Sequence, residues 1–144
     1  MLKLKNFKYN YDKKFLFKIR EQLYIRRNFF NSKKNSYIDH LKWINKNYKK
    51  NIIFIILLKN KKIGYLRYQN KKNYYLISIA IQKKHQKKGF SKQALLKSEN
   101  FLKNKIIKSK VLIRNKNSLN FFKSCNYKTK RLNQTFVELE KILK

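Results

Sequence analysis

The sequence predicts one α/β or α+β domain over residues 1–144, built around a sheet that contains a parallel pair of strands. Apolar β-branched runs alternate with stretches of helical spacing, in the order β, α, α, β, β, β, α, β, α, β, β. Residues 74–114 have the pattern strand, helix, strand, which places both strands parallel in one sheet. No proline-rich, Gly/Ser-rich or repeated stretch marks a linker, so we expect no internal boundary.

The N-terminal part is expected to form one strand and two helices. A loose alternation predicts a strand over residues 2–9, and Asp12 is expected to cap a helix over residues 13–24. Ser36 and Asp39 have the spacing of a capping box and predict the start of a second helix. The apolar residues expected on one face of that helix are Ile38, Leu41 and Ile44.

Three strands follow, and then the rest of the strand-helix-strand unit. The strands are expected at residues 51–59, 62–69 and 74–82, separated by turns at residues 60–61 and 70–73. The later elements are expected to be a helix at 91–104 that buries Ala94, Leu95, Leu96, Phe101 and Leu102, a strand at 111–114, a helix at 118–124, and strands at 127–132 and 135–139.

Composition predicts a soluble protein of the cytoplasm. Aromatic residues make up 15% of the chain, and with abundant Ile and Leu they predict a folded core rather than disorder. The longest apolar run, residues 52–58, is too short to span a bilayer, and the N-terminus lacks the apolar segment of a secretory signal. The single cysteine, Cys125, excludes an internal disulfide and fits a reducing compartment.

The charge of the chain is extreme. Its 39 basic and 6 acidic residues give a net charge of +33. Nucleic-acid binding is one interpretation, but the lysines are spread along the whole chain, and the wealth of Lys, Asn and Ile with no proline indicates an AT-rich coding sequence. The second interpretation is the better one. In either case the field favours anionic ligands, including nucleotides.

A basic loop between a strand and a helix is the first functional candidate. Residues 76–91, LISIAIQKKHQKKGFS, have the pattern Gln-x-x-Gly-x-Ser in front of the helix, and Gly89 is one of only two glycines. A helix N-terminus that presents its N–H groups in this way suits a diphosphate. The loop lacks the endings of a P-loop or a dinucleotide fingerprint, so an ordinary turn with Ser91 as helix cap is the alternative.

A second segment makes the loop more specific. Residues 111–127, VLIRNKNSLNFFKSCNY, follow the loop at the distance of one helix and one strand. Together the two blocks resemble the acetyl-CoA-binding core of the GNAT superfamily of N-acetyltransferases, whose patterns are Gln/Arg-x-x-Gly-x-Gly/Ala and Val-x-x-x-Asn-x-x-Ala/Ser-x-x before an aromatic pair. The positions that match these patterns are Gln86, Gly89, Asn115, Ser118, Phe121 and Phe122.

This resemblance covers about residues 52–127 and implies a fold as well as a co-substrate. The expected fold is a single GNAT-like domain with a mixed sheet of six to seven strands, helices on both faces and a splayed parallel strand pair that holds acetyl-CoA. A backbone N–H near Ile79 or Ile81 would polarise the thioester carbonyl. The residues expected to contact acetyl-CoA are Ile81, Gln86, Lys87, Lys88, Gly89, Phe90, Ser91, Asn115, Ser118 and Phe122, with Lys83, Lys84 and Val111 nearby. No metal is implied.

Several positions depart from the family patterns. Ser91 replaces a small Gly or Ala, and its hydroxyl is expected to cap the helix. Asn126 stands where Gly is usual, and Asn is the next best residue for positive φ. Phe122 occupies the position at which many GNAT enzymes have a tyrosine that protonates the leaving thiolate. The proton would then come from water or from Tyr127, unless none is needed.

The general base is harder to identify, because residues 76–82 contain no carboxylate. His40 is the candidate, with a structural histidine as an equally good interpretation. His85 in the cationic loop is expected to contact solvent or phosphate. Cys125 has no histidine neighbour and falls at a variable position of the pattern, so we reject it as a nucleophile.

Three N-terminal segments are similar to one GNAT branch, which acetylates nucleotide-linked 4-amino sugars in pseudaminic-acid-type pathways. They are RNFFN at 27–31, YIDHLKW at 37–43 and IGYLR at 63–67. The resemblance implies that Arg27, Trp43 and Arg67 contact the acceptor, although Trp43 could equally belong to the core and Arg67 to an exposed strand. The alternatives are a protein N-terminal acetyltransferase of the ribosomal-protein type and a basic RNA-binding module without catalysis. Both a monomer and a homodimer fit.

Overall fold

The computed structural model describes residues 1–22 and 36–144, which form one mixed sheet with helices on both faces. The strands are β1 (Leu2–Asn6), β2 (Ile52–Leu58), β3 (Lys61–Asn70), β4 (Tyr75–Ile81), β5 (Ile106–Leu112), β6 (Lys128–Leu132) and β7 (Phe136–Ile142). The helices are α1 (Tyr9–Glu21), α2 (Tyr37–Asn47), α3 (Phe90–Glu99) and α4 (Lys116–Ser124), and a short 3-10 turn (Lys83–His85) follows β4.

The order of the seven strands in the sheet is β1-β2-β3-β4-β5-β7-β6. β4 and β5 are parallel and joined by α3, whereas the other neighbours are antiparallel. The predicted fold class and the parallel strand-helix-strand unit are therefore confirmed. None of the helices within the described ranges is long and apolar enough to cross a bilayer.

Each face of the sheet has its own apolar core, because side chains alternate between the two faces along every strand. On one face, Leu16 of α1 and Ile44 of α2 pack against Ile55 and Tyr65. On the other face, the helices that follow β4 and β5 contribute to a larger cluster, which contains Ala94, Leu95, Leu119, Phe122, Tyr127 and several strand residues.

The start of α1 differs from the prediction. The helix begins at Tyr9 with Lys8 as N-cap, so Asp12 lies inside the first turn and reaches back to accept the N–H of Lys8 at 2.7 Å. Asp12 is fully buried and forms ion pairs with Lys5 and, at 2.6 Å, with Lys62. Burial alone would raise the pKa of Asp12, but these hydrogen bonds hold it below its ordinary value of 3.8.

The second helix begins as predicted, since Ser36 is its N-cap and accepts the N–H of Asp39 at 3.1 Å. Its apolar face was predicted correctly at Ile44, which is buried, and wrongly at Ile38, which is 65% exposed; His40 is buried as well. The prediction for α3 was also too long, because the helix ends at Glu99. Ala94 and Leu95 are buried as predicted, whereas Leu96, which was also expected in the core, is 41% exposed.

The strand-helix-strand unit contains two further corrections. Phe101 is 69% exposed and lies against Phe54, rather than inside the core. β5 begins at Ile106, five residues before the predicted start, although Lys108 and Lys110 interrupt its apolar pattern. Lys108 is accommodated there by ion pairs with Glu138 and Glu140 of the neighbouring β7. β7 likewise continues to Ile142.

Replacing Asp12 with Asn should destabilise the fold, because Lys5 and Lys62 would lose their buried counter-charge. We expect the free energy of unfolding in urea to fall by about 2–3 kcal/mol at pH 7. The pKa of Asp12 is lowered in the folded state, so its contribution is complete above its ordinary pKa and disappears as the pH falls through the lowered value. The difference between the two proteins should therefore shrink in strong acid. Asp39→Asn, at an exposed first-turn position, is the control and should cost less than about 1 kcal/mol.

Candidate active site

A gap opens between β4 and β5 near the centre of the sheet. The two strands pair only at Tyr75 with Ile107 and at Leu76 with Lys108. Beyond these pairs, β4 continues to Ile81 beside β3, and β5 continues to its end beside β7. The two strands therefore diverge, while each remains in register with its outer neighbour.

The backbone of β4 presents an N–H to this gap. Just outside the two ends of β4, residues 74 and 82 form hydrogen bonds on the side of β3: Lys71 donates its N–H to Tyr74 O, and Gln82 donates its N–H to Ile63 O. The even-numbered residues of β4 therefore direct their backbone groups towards β3. In an antiparallel ladder without a bulge, alternate residues bond to the same neighbour, and the residues between them face the other way. The N–H of Ile79 therefore points towards β5, into the gap.

The loop after β4 is folded back on the strand by its own side chain. Gln86 donates from Nε2 to Ile81 O at 2.9 Å, which fixes the loop at the end of β4. Gly89 is the N-cap of α3 with φ +81°, a conformation that favours glycine, and the space beside its Cα is open. The backbone N–H groups of residues 87–92 donate to no group in the described ranges of the chain.

The expected cap at the start of α3 is wrong in detail. Gly89, not Ser91, is the N-cap, and the helix has no side-chain cap. Its first-turn N–H groups therefore stay available to a ligand, at the positive end of the helix dipole. Lys87, Lys88 and the ring of His85 lie in the same loop, and slight burial and the charges of neighbouring lysines lower the pKa of His85. The loop thus carries positive charge without help from a protonated histidine.

On the other side of the gap, α4 begins with a reciprocal cap. Asn115 accepts the N–H of Ser118 with Oδ1 at 3.2 Å and donates from Nδ2 to the Ser118 hydroxyl at 2.9 Å. These two predicted cofactor contacts therefore hold the helix start. Phe122 is buried in the core, with its ring edge-on to Phe121 and Tyr127.

The structure argues against Tyr127 as the general acid. Its hydroxyl is buried and donates to Glu99 Oε2 at 2.8 Å. Burial and the carboxylate of Glu99 raise the pKa of Tyr127 far above its ordinary value of 10.0, so the hydroxyl gives up its proton less readily. That proton is also already engaged in the hydrogen bond to Glu99. Asn126, in contrast, adopts the positive φ of 72° that the sequence predicted.

A cationic and aromatic cluster lies on the α1–α2 face of the sheet, next to β4. Two guanidinium groups approach the ring of Trp43 in α2: Arg20 Cζ lies 3.9 Å and Arg67 Cζ lies 4.9 Å from the ring centre. Arg67 pairs in register with Ser78, the residue before Ile79. Residues paired in this way share a face, so the cluster borders the strand that carries the exposed N–H.

His40 belongs to the same cluster, but it is a poor general base. Its ring stacks near Trp43 and lies edge-on to Phe17, and the residue is only 4% exposed. Burial first, and then the charge of Arg20, lower the pKa of His40 to about 4. A base should have a pKa near the working pH, so the structure argues against the predicted role at neutral pH.

Sequence analysis missed Arg20, which belongs to this cluster, and Glu21, which follows it in α1. Arg20 donates to the Tyr65 hydroxyl at 3.3 Å as well as covering Trp43. Glu21, the next residue, has a buried Oε2 without a hydrogen-bond partner. The chain has only six acidic residues, so the scarcity of carboxylates was a sequence signal that could have identified Glu21, although no motif surrounds this residue. Arg27, the remaining predicted acceptor contact, lies outside the described residues.

The geometry is that of a site for a thioester carrier, and sequence comparison agrees. The profile of the acetyltransferase (GNAT) family matches residues 18–127, more than half of the chain. The chain belongs to the GNAT acetyltransferase family. It is therefore an acyltransferase that uses acetyl-CoA as co-substrate for the acetylation of an amine. No protein of curated function matches the sequence significantly.

Solved structures share the fold of this GNAT enzyme. Spermidine N-acetyltransferase from Vibrio cholerae, in complex with CoA and spermine, is 17% identical with a TM-score of 0.84 and covers 98% of this chain and 95% of its own. A putative acetyltransferase from Salmonella typhimurium with its cofactor acetyl-CoA is 11% identical with a TM-score of 0.80, covering 100% and 95%. A ribosomal alpha-N-protein acetyltransferase in complex with coenzyme A is 11% identical with a TM-score of 0.84, covering 99% and 94%. At these identities the likeness concerns the fold.

The features of the gap and loop fit acetyl-CoA. The run of N–H groups at residues 87–92 suits a diphosphate, and the open space beside Gly89 leaves room for it. The widening between β4 and β5 suits an extended chain that carries a thioester. No group of three or more metal-ligating side chains occurs among the described residues.

The two glycines of the enzyme should respond differently to substitution. Gly89→Trp fills the open space beside the loop, so we expect acetyl-CoA affinity to fall by at least about tenfold, with a stability loss of about 1–2 kcal/mol from positive φ. A Cβ at Gly64 would lie 2.4 Å from Ala80 O, so Gly64→Ala should lower the melting temperature and leave the affinity of the folded protein unchanged. Calorimetric titration and thermal melts measure both. Unchanged affinity in Gly89→Trp would contradict the site.

The buried His40 should make stability depend on pH. Its pKa is about 4 in the folded state against an ordinary 6.5, so between these values the unfolded chain binds a proton that the folded chain does not. The free energy of unfolding should therefore fall as the pH is lowered from 6.5 to 4. His40→Asn should flatten this slope, as measured by denaturant titrations at both pH values. An identical slope in the variant would show that the ring is exposed to solvent.

Proposed function

We propose that this enzyme acetylates the primary amine of an amino sugar that is linked to a nucleotide. The observation that supports this acceptor best is the pair of guanidinium groups that approach the ring of Trp43. Arginine recognises phosphate through planar, charge-assisted hydrogen bonds, and an aromatic ring in contact with both guanidinium groups restricts their orientation.

Unpartnered polar atoms, two of them on residues of the same cluster, also support a polar ligand. Four buried side-chain atoms within the described ranges lack a hydrogen-bond partner. One of the four, Asp12 Oδ1, makes no hydrogen bond of ordinary geometry but is satisfied by the ion pair with Lys62 at 2.6 Å. The other three are Arg67 Nε, His40 Nε2 and Glu21 Oε2. Buried polar atoms without partners are costly, and a bound acceptor with both donors and acceptors would relieve that cost.

The positive charges also oppose a polyamine acceptor. Spermidine is a polycation, and it would have to approach Arg20 and Arg67 on a protein of net charge +33. Like charges at close range cost free energy, whereas an anionic nucleotide is attracted by the same field. The likeness to the spermidine enzyme therefore does not extend, in this proposal, to its acceptor.

In the proposed reaction, acetyl-CoA supplies the acetyl group as a thioester, and a neutral amine attacks the carbonyl carbon directly. The C–N bond forms, the C–S bond breaks, and the nitrogen releases a proton to water, which leaves an amide and the CoA thiolate. The N–H of Ile79 donates to the thioester oxygen as negative charge develops there. The N–H groups of residues 87–92 hold the diphosphate, and Gln86 keeps their loop against β4. No tyrosine hydroxyl is assigned to the leaving thiolate, which takes its proton from water.

An acceptor that arrives as an ammonium ion must lose a proton to become the nucleophilic amine, and Glu21 is our candidate to take that proton. Among the other acidic residues, Asp12, Glu99, Glu138 and Glu140 are engaged in ion pairs with lysines, and Asp39 is exposed at the start of α2. Glu21 is half-buried beside Arg20, with one oxygen unpartnered. It therefore has an unpartnered carboxylate oxygen, and it follows Arg20, a residue of the acceptor cluster, in α1.

A panel of acceptors tests the proposal directly. CoA release from acetyl-CoA would be followed with a UDP-linked 4-amino sugar, a short peptide with a free N-terminus, and spermidine, at equal concentrations. We expect the highest kcat/KM with the nucleotide sugar. Faster turnover of the peptide would favour a protein N-terminus as acceptor, and faster turnover of spermidine would overturn the argument from charge. In both cases the acetyltransferase activity itself would stand.

Two variants should separate acceptor binding from chemistry. Arg67→Met should raise the KM for the nucleotide sugar by about tenfold, because a charged hydrogen bond is lost, and leave the KM for acetyl-CoA unchanged. Glu21→Gln should lower kcat at neutral pH and leave both KM values near those of the parent enzyme. Steady-state kinetics with both substrates measure these effects. An Arg67→Met enzyme with an unchanged acceptor KM would contradict the phosphate assignment.

A further inference from the structure

A second cleft lies between α3, with the residues that follow it, and the end of β7. Its volume is about 690 Å³, within the range of specific binding sites, and it shares no lining residue with the loop at residues 82–91. Leu96 of α3 and Ile142 of β7 form apolar parts of its wall, and Ile142 is 58% exposed. Large apolar side chains left open to water within one cleft indicate a surface that binds something.

Lysines surround this apolar surface. Lys97 and Lys103 from the α3 side and Lys144 from the end of the chain line the cleft together with Lys141. Glu99 is the acidic residue of the lining, but its two oxygens accept from Lys141 at 2.7 Å and from Tyr127 at 2.8 Å. The carboxylate is thus already neutralised, and Lys97, Lys103 and Lys144 keep their charge for a partner.

We propose that this cleft docks an acidic amphipathic segment of another protein. Carboxylates of the segment pair with Lys97 and Lys103, and one of its apolar side chains covers Leu96 and Ile142. Charge complementarity of this kind steers association and fixes register, while the apolar contact supplies affinity. A second copy of this chain is a poor occupant, because each copy carries a net charge of +33.

Single-stranded nucleic acid is the other anionic occupant to consider, and the lining argues against it. Non-specific binding of single strands relies on aromatic side chains on which the bases stack. The residues that line the cleft include no aromatic ring, whereas they do include exposed leucine and isoleucine. The lining is therefore better matched to an apolar side chain flanked by carboxylates than to a base flanked by phosphates.

The test uses the full chain and a fluorescent amphipathic peptide made of Glu and Leu, followed by anisotropy at physiological salt. A peptide with Gln in place of Glu and an oligoadenylate RNA serve as reference probes. The double variant Lys97→Glu/Lys103→Glu removes the charge complementarity, and Leu96→Gln/Ile142→Gln removes the apolar surface. Lys14→Glu/Lys42→Glu is the matched control, since it changes the net charge equally at exposed helical lysines elsewhere.

We expect the Glu/Leu peptide to lose at least about tenfold in affinity in both cleft variants and less than about threefold in the control. The Gln-containing peptide should bind weakly to all four proteins. If Lys97→Glu/Lys103→Glu and the control Lys14→Glu/Lys42→Glu lose peptide affinity equally, the peptide binds to the overall positive charge of the protein, and the proposal is overturned. RNA that binds the parent enzyme and displaces the peptide would overturn it as well. CoA release with the preferred acceptor should be the same in all variants, so this outcome is independent of the acceptor assignment.

Discussion

The separation of β4 from β5 is the constraint on which the rest of the structure depends. Two neighbouring parallel strands normally satisfy each other's backbone groups along their whole length, and a buried N–H without a partner is costly. Here the pairing ends after Leu76 and Lys108, while β3 and β7 hold the outer edges of both strands in register. The outer ladders therefore stabilise an opening that the two strands alone would close. An extended ligand in that opening would complete the hydrogen bonding that the sheet leaves unfinished.

Charge is managed differently in the structural and the functional parts of the molecule. Most of the few carboxylates are used inside the fold: Asp12 pins α1 to the sheet, and Glu138 and Glu140 accommodate lysines on the neighbouring strands. Around Trp43, in contrast, two guanidinium groups approach one ring, and within the described ranges Arg67 has a buried nitrogen without a hydrogen-bond partner. Such an arrangement is expensive in an empty protein. It is reasonable in an enzyme whose substrate brings negative charge.

The sequence was informative wherever local signals agree. The strands β2, β3 and β4 end within one residue of their predicted bounds, because β-branched runs and turns mark them clearly. β5 was misplaced because Lys108 and Lys110 break its apolar pattern, and the glutamates of β7 that accommodate Lys108 lie about 30 residues further on. The loop at Gly89 was visible from its motif. The Arg20–Trp43–Arg67 cluster was not, since it joins two helices and a strand through contacts that spacing along the chain does not encode.

Amide hydrogen exchange, with and without acetyl-CoA, tests the central claim most directly. If the carrier lies between β4 and β5 with its diphosphate on the loop, the amides of Ile79 and of residues 87–92 gain protection when it binds. The amides of β3 that pair with β2 are already bonded within the sheet and keep their exchange rates. Binding that leaves Ile79 and the loop unprotected, or that protects amides at the outer edges of the sheet instead, would contradict this account of the site.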